Sequence, residues 1–515
     1  MSISRRELLR GAGGVCSALA LRRLGRALDL QPSGPFQPTR DSLRSYQVPE
    51  WFRDAKFGIW AHWGPQSAIE DGDWYARNMY VQGTDQYEYQ LANYGHPSKV
   101  GYKDLVGNWH ADKWDPDHLM SLYKKAGAKY FVSMGVHHDN FDLWDSKYNR
   151  WNAVKMGPKR DVVGTWKKAA VSQGLRFGVS EHLWISYKWW GVSHGADKAG
   201  EFAGVPYDGA NPQYADLYHD AGCARYADHF GELDWNDDGI PESWRKHYLD
   251  RITDLIDKYQ PDFLYTDGHL PFEEYGLQMV SHLYNVSAAA HNGKVEAIYT
   301  SKDSRDCAVG TCLLDHERGV AEGIAANPWQ TDTCIGQWHY KKGQKYKTAK
   351  KVIDLLVDIV SKNGNLLLNF PLPNSGELDP QEMYVLEGVT AWMQVNSEGI
   401  YSTRPWKVYG EGPSTTQKVE TGNFNEDKKP DLNGQDIRFT SKGNTVYAFV
   451  MGKPEVAEVN ALGLWSPQSP GKIQRVQVLG HQGDVQWVQD DTKLHVKVPT
   501  DIASDIGLTL KVDLA

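Results

Sequence analysis

Short apolar runs recur along the chain between positions 57 and 370, and each run stops at polar or glycine residues. Stretches with helical periodicity lie between several of them, at positions 161–173, 250–259 and 350–362. In the last stretch, apolar residues follow the i, i+3, i+4, i+7 spacing of an amphipathic helix, and Gly364 lies just beyond its end. This alternation predicts an α/β fold.

The number of apolar runs is eight, which is the number of strands in a (β/α)8-like TIM barrel. The runs cover positions 57–64, 130–139, 176–183, 263–268, 296–300, 312–318, 329–336 and 364–370. In such a barrel the C-terminal ends of all strands meet at one mouth, where catalytic side chains lie. The residues that end these runs are therefore the candidates for chemistry.

The pattern changes after a helical stretch at positions 379–396. Short alternating runs follow, such as 445–450, 473–478 and 493–498, and Gly, Pro, Asn and Asp separate them. Such runs predict an antiparallel β-sandwich. We assign positions 31–405 to the catalytic barrel and positions 406–515 to the β-sandwich domain.

The first 30 positions carry a different signal. Arg5 and Arg6 precede a stretch rich in Gly, Ala and Leu, which resembles a twin-arginine export signal. Arg22 and Arg23 interrupt the apolar stretch, so it is too short to span a membrane. The pattern predicts an exported protein, periplasmic or extracellular; a cytoplasmic protein with a basic N-terminus is the alternative.

Composition narrows the range of partners. The net charge is -9 and no Lys/Arg-rich block lies beyond the N-terminus, so the sequence predicts no nucleic-acid partner. The 20 Trp and 27 Tyr residues suit sites that stack on sugar rings, although core packing accounts for most of them. Four of the five cysteines follow the signal without zinc-binding spacing. Cys307 and Cys312 are close enough to pair, but buried thiols are the favoured interpretation.

Several polar residues end the predicted strands and would converge on the barrel mouth. They are His62, His137, His138, Glu181, His182, Asp267 and Glu317. The imidazoles allow a zinc site, but adjacent histidines on one strand point to opposite faces, so we expect no metal and no cofactor. A neutral ring of imidazoles and Trp edges suits a sugar instead.

Carboxylates at the same mouth supply the pair that glycoside hydrolysis requires, one ionised and one protonated. The candidates are Asp267, Glu317, Glu181 and Asp315. Asp267 ends an apolar run directly before Gly268. Taken alone, an Asp-Gly pair after such a run is more often an ordinary turn.

Several blocks of the sequence, taken in order, resemble the α-L-fucosidases of glycoside hydrolase family 29. Positions 51–64 read WFRDAKFGIWAHWG, and Trp74 and Tyr75 follow. Positions 129–146, with His137-His138-Asp139, and GPKRDVV at 157–163 are the most distinctive stretch. PDFLYTDG at 261–268, the segment 329–340 and NGNLLLN at 363–369 complete a resemblance that covers about positions 45–405.

This resemblance implies a retaining exo-α-L-fucosidase that removes terminal α-L-fucose from an oligosaccharide or glycoconjugate. Asp267 would be the nucleophile. The substrate-binding residues would be His62, Trp74, His137 and His138, and we add Glu181 and Trp329 as further candidates. Glu317 is the chosen acid/base, because it ends an apolar run, lies 50 positions after Asp267 and precedes the Trp329 segment as the family's acid does. Glu181 is the reserve for that role.

The sequence departs from the family pattern at several positions near these blocks. Asp73 stands where Glu is usual, Gln330 replaces Glu, and His339 replaces Gly. Positions 179–182 replace a strand end that usually contains tyrosine. Two alternatives therefore stay open: a non-catalytic fucose-binding relative, and an α-L-galactosidase-type glycosidase on the same scaffold.

A further segment has the spacing of a calcium-binding loop. Asp234, Asn236 and Asp238 lie in the pattern D-x-N-x-D-G. The twelfth position of the loop is Arg245, where a bidentate Glu would be expected. A solvated acidic insertion is therefore the favoured interpretation, with calcium binding as the alternative.

Overall fold

The computed structural model describes residues 34–227, 233–308, 310–417 and 422–515, so the predicted export signal lies outside the described residues. Eight parallel strands form a closed barrel in the order β1 to β8. Their bounds are β1 Phe57–Ala61, β2 Tyr130–Val136, β3 Arg176–Glu181, β4 Phe263–Thr266, β5 Ile298–Ser301, β6 Leu313–Glu317, β7 Trp329–Cys334 and β8 Gly364–Asn369. Strands β8 and β1 pair and close the barrel, which confirms the predicted fold class.

Large apolar side chains fill the interior of the barrel. Trp60, Tyr130, Phe263, Tyr265 and Leu367 are buried there together. An eight-stranded barrel leaves an interior just wide enough for side chains to fill. Because parallel strands are covered on both faces, they read in the sequence as continuous apolar runs. This explains why the apolar runs located the strands correctly.

Helices connect the strands and cover the outside of the barrel. They are α1 Arg40–Leu43, α2 Glu50–Ala55, α3 Tyr75–Asn78, α4 Asp85–Asn93, α5 Tyr102–Leu105, α6 Pro116–Lys125, α7 Val162–Ser172, α8 Ser186–Trp189, α9 Ala215–Tyr218, α10 Glu242–Tyr259, α11 Glu274–Ala290, α12 Ser304–Cys307, α13 Ala349–Ser361 and α14 Pro380–Asn396. The Thr348 side chain caps α13 by accepting a hydrogen bond from Lys351 N. The three predicted helical stretches correspond to α7, α10 and α13.

The C-terminal region consists of antiparallel strands, as predicted. They are β9 Arg404–Glu411, β10 Ile437–Lys442, β11 Thr445–Val450, β12 Val456–Val459, β13 Ile473–Val478, β14 Trp487–Gln489, β15 Leu494–Lys497 and β16 Leu508–Leu514. One sheet has the order β13-β16-β11-β10-β9, and a smaller sheet has the order β12-β15-β14. Phe439, Leu462 and Val496 belong to the core between them.

A charged cluster joins the barrel to the C-terminal strands. Asp358 of α13 accepts hydrogen bonds from Arg438 Nε of β10 at 2.7 Å and from Lys362 Nζ at 2.8 Å. Lys429 Nζ lies 3.3 Å from the same carboxylate. Burial would raise the pKa of Asp358, but these three cations hold it well below its usual range. The cluster therefore fixes α13 against β10.

One prediction about the cysteines is wrong. Cys307 and Cys312 form a disulfide, with Cα atoms 4.7 Å apart. Cys307 ends the short helix α12 and Cys312 directly precedes β6, and their close Cα atoms bring both side chains within bonding range. Cys223 and Cys334 are buried free thiols. Separately, none of the helices in the described ranges is both long enough and apolar enough to cross a membrane.

Candidate active site

Asp267 directly follows β4 and lies at the C-terminal mouth of the barrel. Its Oδ1 accepts a hydrogen bond from Lys302 Nζ at 2.6 Å. Its Oδ2 lies 3.1 Å from His182 Nδ1 and 3.4 Å from His138 Nε2. Burial would raise the pKa of Asp267, but Lys302 and the two imidazoles outweigh it and hold that pKa well below its usual range. Asp267 is therefore an ionised carboxylate at neutral pH.

Glu317, the last residue of β6, lies across Lys302 from Asp267. Lys302 Nζ donates to Glu317 Oε2 at 2.6 Å, the same distance as to Asp267 Oδ1. The two carboxylate oxygens are therefore at most twice that distance apart. In retaining glycosidases the two carboxyl groups are about 5 to 5.5 Å apart, and inverting enzymes need a wider gap. The geometry fits the retaining class.

The two carboxyl groups differ in their protonation. Burial raises the pKa of Glu317 to about 7; Lys302 opposes the shift, and the negative charges of Asp332 and Asp267 add to it. Asp267 stays ionised because it also receives the imidazole contacts. One carboxylate and one carboxylic acid side by side are the pair that glycoside hydrolysis uses.

The backbone of Glu317 is held by the segment 423–426, which lies between β9 and β10. Glu317 N donates to Asn423 Oδ1 at 3.1 Å, and Phe424 N donates to Glu317 O at 2.7 Å. Glu426 N then donates to Arg318 O at 2.9 Å. The end of β6 is thus fixed by residues that follow the barrel in the sequence.

Five imidazoles form the opposite wall of the mouth: His62, His137, His138, His182 and His339. The ring centroids of His62 lie 5.0 Å from His137, 4.9 Å from His182 and 4.6 Å from His339. His137 and His138 both follow β2, with ring centroids 4.4 Å apart. Both rings reach the same mouth because the chain leaves the strand at Val136, so strand alternation no longer separates them.

Burial keeps most of this wall neutral. It lowers the pKa of His62 and of His137 well below the usual value, and lowers that of His182 to about 4 although Asp267 opposes the shift. Both ring nitrogens of His62 and the Nε2 atoms of His182 and His339 have no hydrogen-bond partner among the described residues. Neutral imidazoles with open nitrogens can bind hydroxyl groups.

Aromatic side chains surround these imidazoles. The Trp74 ring lies 5.9 Å from His138 and 5.9 Å from Trp235, and Trp338 lies 5.7 Å from His62. The His62 side chain has almost no water-accessible surface. A sugar that contacts it must therefore displace some of the surrounding side chains when it enters.

Two of the predicted substrate-binding residues do not lie in this mouth. Trp329 is the first residue of β7, so it lies at the opposite end of the barrel, where its Nε1 donates to Lys362 O at 2.9 Å. Trp338, in the loop after β7, lies beside His62 instead. This placement at the start of the strand corrects the assignment of Trp329 as a substrate-binding residue.

Glu181 is fully buried between β3, β4 and α10. Its Oε1 accepts hydrogen bonds from Thr266 Oγ1 at 2.6 Å and Tyr248 OH at 2.9 Å. Its Oε2 accepts from Leu183 N at 3.0 Å. Burial raises the pKa of Glu181 to about 7, but its carboxyl group is engaged in packing the strands. This placement corrects the proposals that it binds substrate or acts as the reserve acid.

Sequence reasoning missed Lys302, which lies between the two carboxyl groups. The fifth predicted run ends at Thr300, but β5 ends at Ser301, and Lys302 is the next residue. This is the same relation to a strand that singled out Asp267. His182 was seen at a strand end without a role. His339 was seen only as a departure from the family pattern.

The mouth also contains a set of metal-ligand types. One ligand atom from each of His62, Asp73, His137 and His339 lies within 4.8 Å of the others. Imidazoles and carboxylates can hold zinc. However, the Gln66 amide donates to His137 Nδ1 at 2.9 Å, so the ring proton of the neutral imidazole is on Nε2. His137 is thereby arranged to donate a hydrogen bond rather than to bind a metal.

In the loop with calcium-like spacing, a lysine ammonium group contacts the side chains that would bind calcium. Lys188 Nζ donates to Asp234 Oδ2 at 3.1 Å and to Asn236 Oδ1 at 2.8 Å. Asp237 Oδ2 accepts from Phe272 N at 2.8 Å. Because an ammonium group already binds two of the expected ligands, the geometry favours a structural loop over a calcium site. The loop presents Trp235 near Trp74 and His138.

A parallel barrel with two close carboxyl groups of opposite protonation, facing a neutral wall of imidazoles, defines a glycoside hydrolase. Comparison with known sequences gives the family. A model described as Alpha-L-fucosidase matches residues 26–398, and one described as Alpha-L-fucosidase C-terminal domain matches residues 430–513. The chain belongs to the α-L-fucosidase family.

Individual relatives agree with this family. Tissue alpha-L-fucosidase of Mus musculus is 27% identical over 495 residues, covering 93% of this chain and 94% of the relative. The Homo sapiens tissue enzyme is 26% identical and covers 91% and 89%. A Thermotoga maritima alpha-fucosidase structure in complex with fucose has a TM-score of 0.67 at 26% identity, covering 92% of this chain and 99% of that chain. Another structure of the Thermotoga enzyme, in complex with a mechanism-based inhibitor, has a TM-score of 0.70 at 25% identity and covers 93% and 100%.

Proposed function

We propose that this α-L-fucosidase is a retaining exo-enzyme, with Asp267 as nucleophile and Glu317 as acid/base. The observation that carries the proposal is the Lys302 ammonium group, which lies 2.6 Å from an oxygen of each carboxyl group. A single bridging cation keeps these two oxygens within twice that distance, and this close approach supports the retaining class. The solved relative that contains a mechanism-based inhibitor supports the same chemistry.

In the first step, Asp267 attacks the anomeric carbon of the terminal fucosyl residue. The bond between that carbon and the glycosidic oxygen breaks, and Glu317 donates its proton to the departing oxygen. The product is a glycosyl-enzyme ester together with the free alcohol of the leaving group. Lys302 keeps Asp267 ionised beforehand, because its positive charge favours the carboxylate.

In the second step, water hydrolyses the glycosyl-enzyme ester. Glu317 is now a carboxylate, and it accepts a proton from a water molecule that attacks the same anomeric carbon. The bond to Asp267 breaks, Asp267 recovers its negative charge and Glu317 recovers its proton. Two inversions at one carbon leave the configuration unchanged, so the first product is the α-anomer of fucose.

The neutral wall supports recognition of one terminal sugar. His62, His137 and His138 present ring nitrogens at the closed end of the barrel mouth, where each side chain is buried. Fucose carries no charge, and neutral imidazoles can donate to or accept from its hydroxyl groups without adding charge. The substrate is thus a glycan with fucose at its non-reducing end.

Product stereochemistry tests the mechanism directly. The enzyme is mixed with an aryl α-L-fucoside in deuterated buffer, and proton NMR follows the anomeric signals before mutarotation. We expect α-L-fucose to appear first. Initial release of β-L-fucose would overturn the retaining mechanism, and the absence of any turnover would favour the non-catalytic alternative.

We also propose that the protein is exported. The pattern around Arg5 and Arg6 supports this, and so does the Cys307–Cys312 disulfide, since disulfides persist in oxidising compartments. Fractionation of cells that express the full chain tests the proposal. Replacing both arginines by lysine should retain the protein in the cytoplasm; unchanged export would refute the twin-arginine route.

A further inference from the structure

Two positions at which the sequence departs from the family pattern contact each other. His339 Nδ1 lies 2.7 Å from Asp73 Oδ1. Asp73 follows β1 and His339 follows β7, so 266 positions separate them in the sequence. Asp73 is partly exposed, whereas the His339 side chain is completely buried. The carboxylate therefore fixes the orientation of a buried imidazole.

The His339 ring packs against other imidazoles of the wall, and its second nitrogen is unpaired within the described part of the chain. The His339 ring centroid lies 4.6 Å from His62 and 4.9 Å from His137. Its Nε2 atom is buried and has no hydrogen-bond partner among the described residues. A buried polar atom without a partner is destabilising, because it has lost its hydrogen bond to water. A ligand group that binds Nε2 would recover this free energy.

The Asp73 contact also determines which hydrogen bond Nε2 can make. An ionised carboxylate only accepts, so Nδ1 carries a proton, and in the neutral form of the ring Nε2 is then the nitrogen with the lone pair. His182 is arranged similarly by Asp267, whereas His137 has its proton on Nε2 because Gln66 donates to its Nδ1. The wall therefore contains defined acceptors and a defined donor.

We propose that His339, oriented by Asp73, is a specificity-determining residue that accepts a hydrogen bond from one hydroxyl group of the terminal sugar. The inference rests on the proposed function, because it concerns the sugar that the same mouth takes. It adds the requirement that one hydroxyl group of the sugar donates its proton to His339 Nε2. Asp73 is a positioning residue, since it acts through His339.

Binding of free L-fucose and its analogues tests this requirement. Inhibition constants against an aryl α-L-fucoside are measured for L-fucose and for its deoxy and deoxyfluoro analogues at C2, C3 and C4. Fluorine can accept but cannot donate a hydrogen bond. At one ring position, the deoxy and the deoxyfluoro analogue should therefore both bind to the wild type roughly tenfold more weakly than L-fucose does.

Variants connect that position to His339. In His339→Gly, fucose itself should bind roughly tenfold more weakly, and the two analogues at that one position should bind as well as fucose does. Asp73→Ala should reduce the same discrimination because the ring loses its orientation. His110→Gly, an exposed histidine in a loop, serves as the matched control and should leave all inhibition constants unchanged.

The outcomes separate this inference from the proposed function. If the wild type hydrolyses the fucoside but His339→Gly keeps full discrimination at every ring position, the inference is wrong and the proposed function stands. A fluoro analogue that binds as well as fucose at the affected position would likewise exclude an acceptor role. Thermal denaturation of each variant checks that the fold is intact, and Asp73→Ala supplies a second test if His339→Gly does not fold.

Discussion

The two halves of the barrel mouth differ in charge. Strands β4 to β6 lead to Asp267, Lys302 and Glu317, and both carboxyl groups lie within hydrogen-bond distance of the Lys302 ammonium group. The other half contributes imidazoles such as His62 and His137, which burial keeps neutral. The difference shows how one cavity can combine chemistry and recognition: the charged half changes the sugar, and the neutral half holds it.

The largest effect is expected for Asp267→Gly, which removes the nucleophile from the charged half. Turnover of an aryl α-L-fucoside should fall roughly 10⁴-fold or more. Azide should restore activity and give a β-configured fucosyl azide, because it attacks from the space that the carboxylate leaves. Asp238→Gly is an exposed control. A fully active Asp267→Gly would remove this residue from the mechanism.

Glu317→Gln should show an effect that depends on the leaving group. Substrates with poor leaving groups need a proton from the acid, so their kcat/KM should fall roughly 10² to 10⁴-fold. An aryl fucoside with a very acidic phenol should react in the first step almost as in the wild type. A series of aryl fucosides measures this dependence. A small loss that is uniform over the series would contradict the acid role.

Lys302→Met should change the pH profile of kcat/KM as well as its size. The wild-type rate should fall as pH rises through about 7, where Glu317 loses its proton, and on the acid side only when Asp267 is protonated. Lys302 lowers the pKa of both groups, so its removal should move both limbs to higher pH. The maximum should fall roughly a hundredfold.

Lys302→Arg retains the positive charge and is the matched control. It should keep both limbs close to their wild-type positions. If Lys302→Met left the limbs in place, the ammonium group would not be what separates the two carboxyl groups in protonation.

His62→Ala tests the neutral half and should have a smaller effect. Loss of hydroxyl contacts should weaken binding of fucose roughly tenfold, while both pH limbs stay in place because His62 is neutral over this range. Competition by free fucose and a pH series measure the two quantities. A shifted limb would mean that the neutral wall takes part in proton transfer.

Chelators should have the smallest effect. Prolonged dialysis against EDTA or 1,10-phenanthroline should leave kcat/KM unchanged, since the proposed chemistry uses only side chains of the charged half. Metal content is measured in parallel. Inactivation that zinc reverses would show that His62, Asp73, His137 and His339 hold an ion, and the comparison of the two halves would then fail.

Much of the fold could be predicted from the sequence. Seven of the eight apolar runs contain a whole barrel strand and the fifth overlaps most of β5, because strands covered on both faces need continuous apolar sequence. The pattern located the ends of the strands less well: seven runs continue past the end of their strand, and the fifth stops one residue before the end of β5. This error hid Lys302 behind β5. The disulfide was missed because its geometry depends on how α12 turns.

The site was predicted in part, and the errors have a physical origin. Asp267, Glu317, His62, His137 and His138 were found because each ends or follows a run, and the structure brings them together. Glu181 also ends a strand, but its side chain points away from the mouth and packs against Thr266. Trp329 begins its strand. Which way a side chain points, and at which end of a strand it lies, decides its role.

The segment 423–426 has a consequence for how such enzymes can be recombined. A catalytic barrel followed by a β-sandwich suggests that the C-terminal domain could be exchanged for another without affecting the active site. Here Asn423 and Phe424 clasp the main chain of Glu317. In a chimera joined just after α14, Asp267 and Glu317 would come from this protein, but the segment that holds the Glu317 backbone would come from the other one. A junction after residue 426 keeps the carboxyl groups and that segment in the same protein.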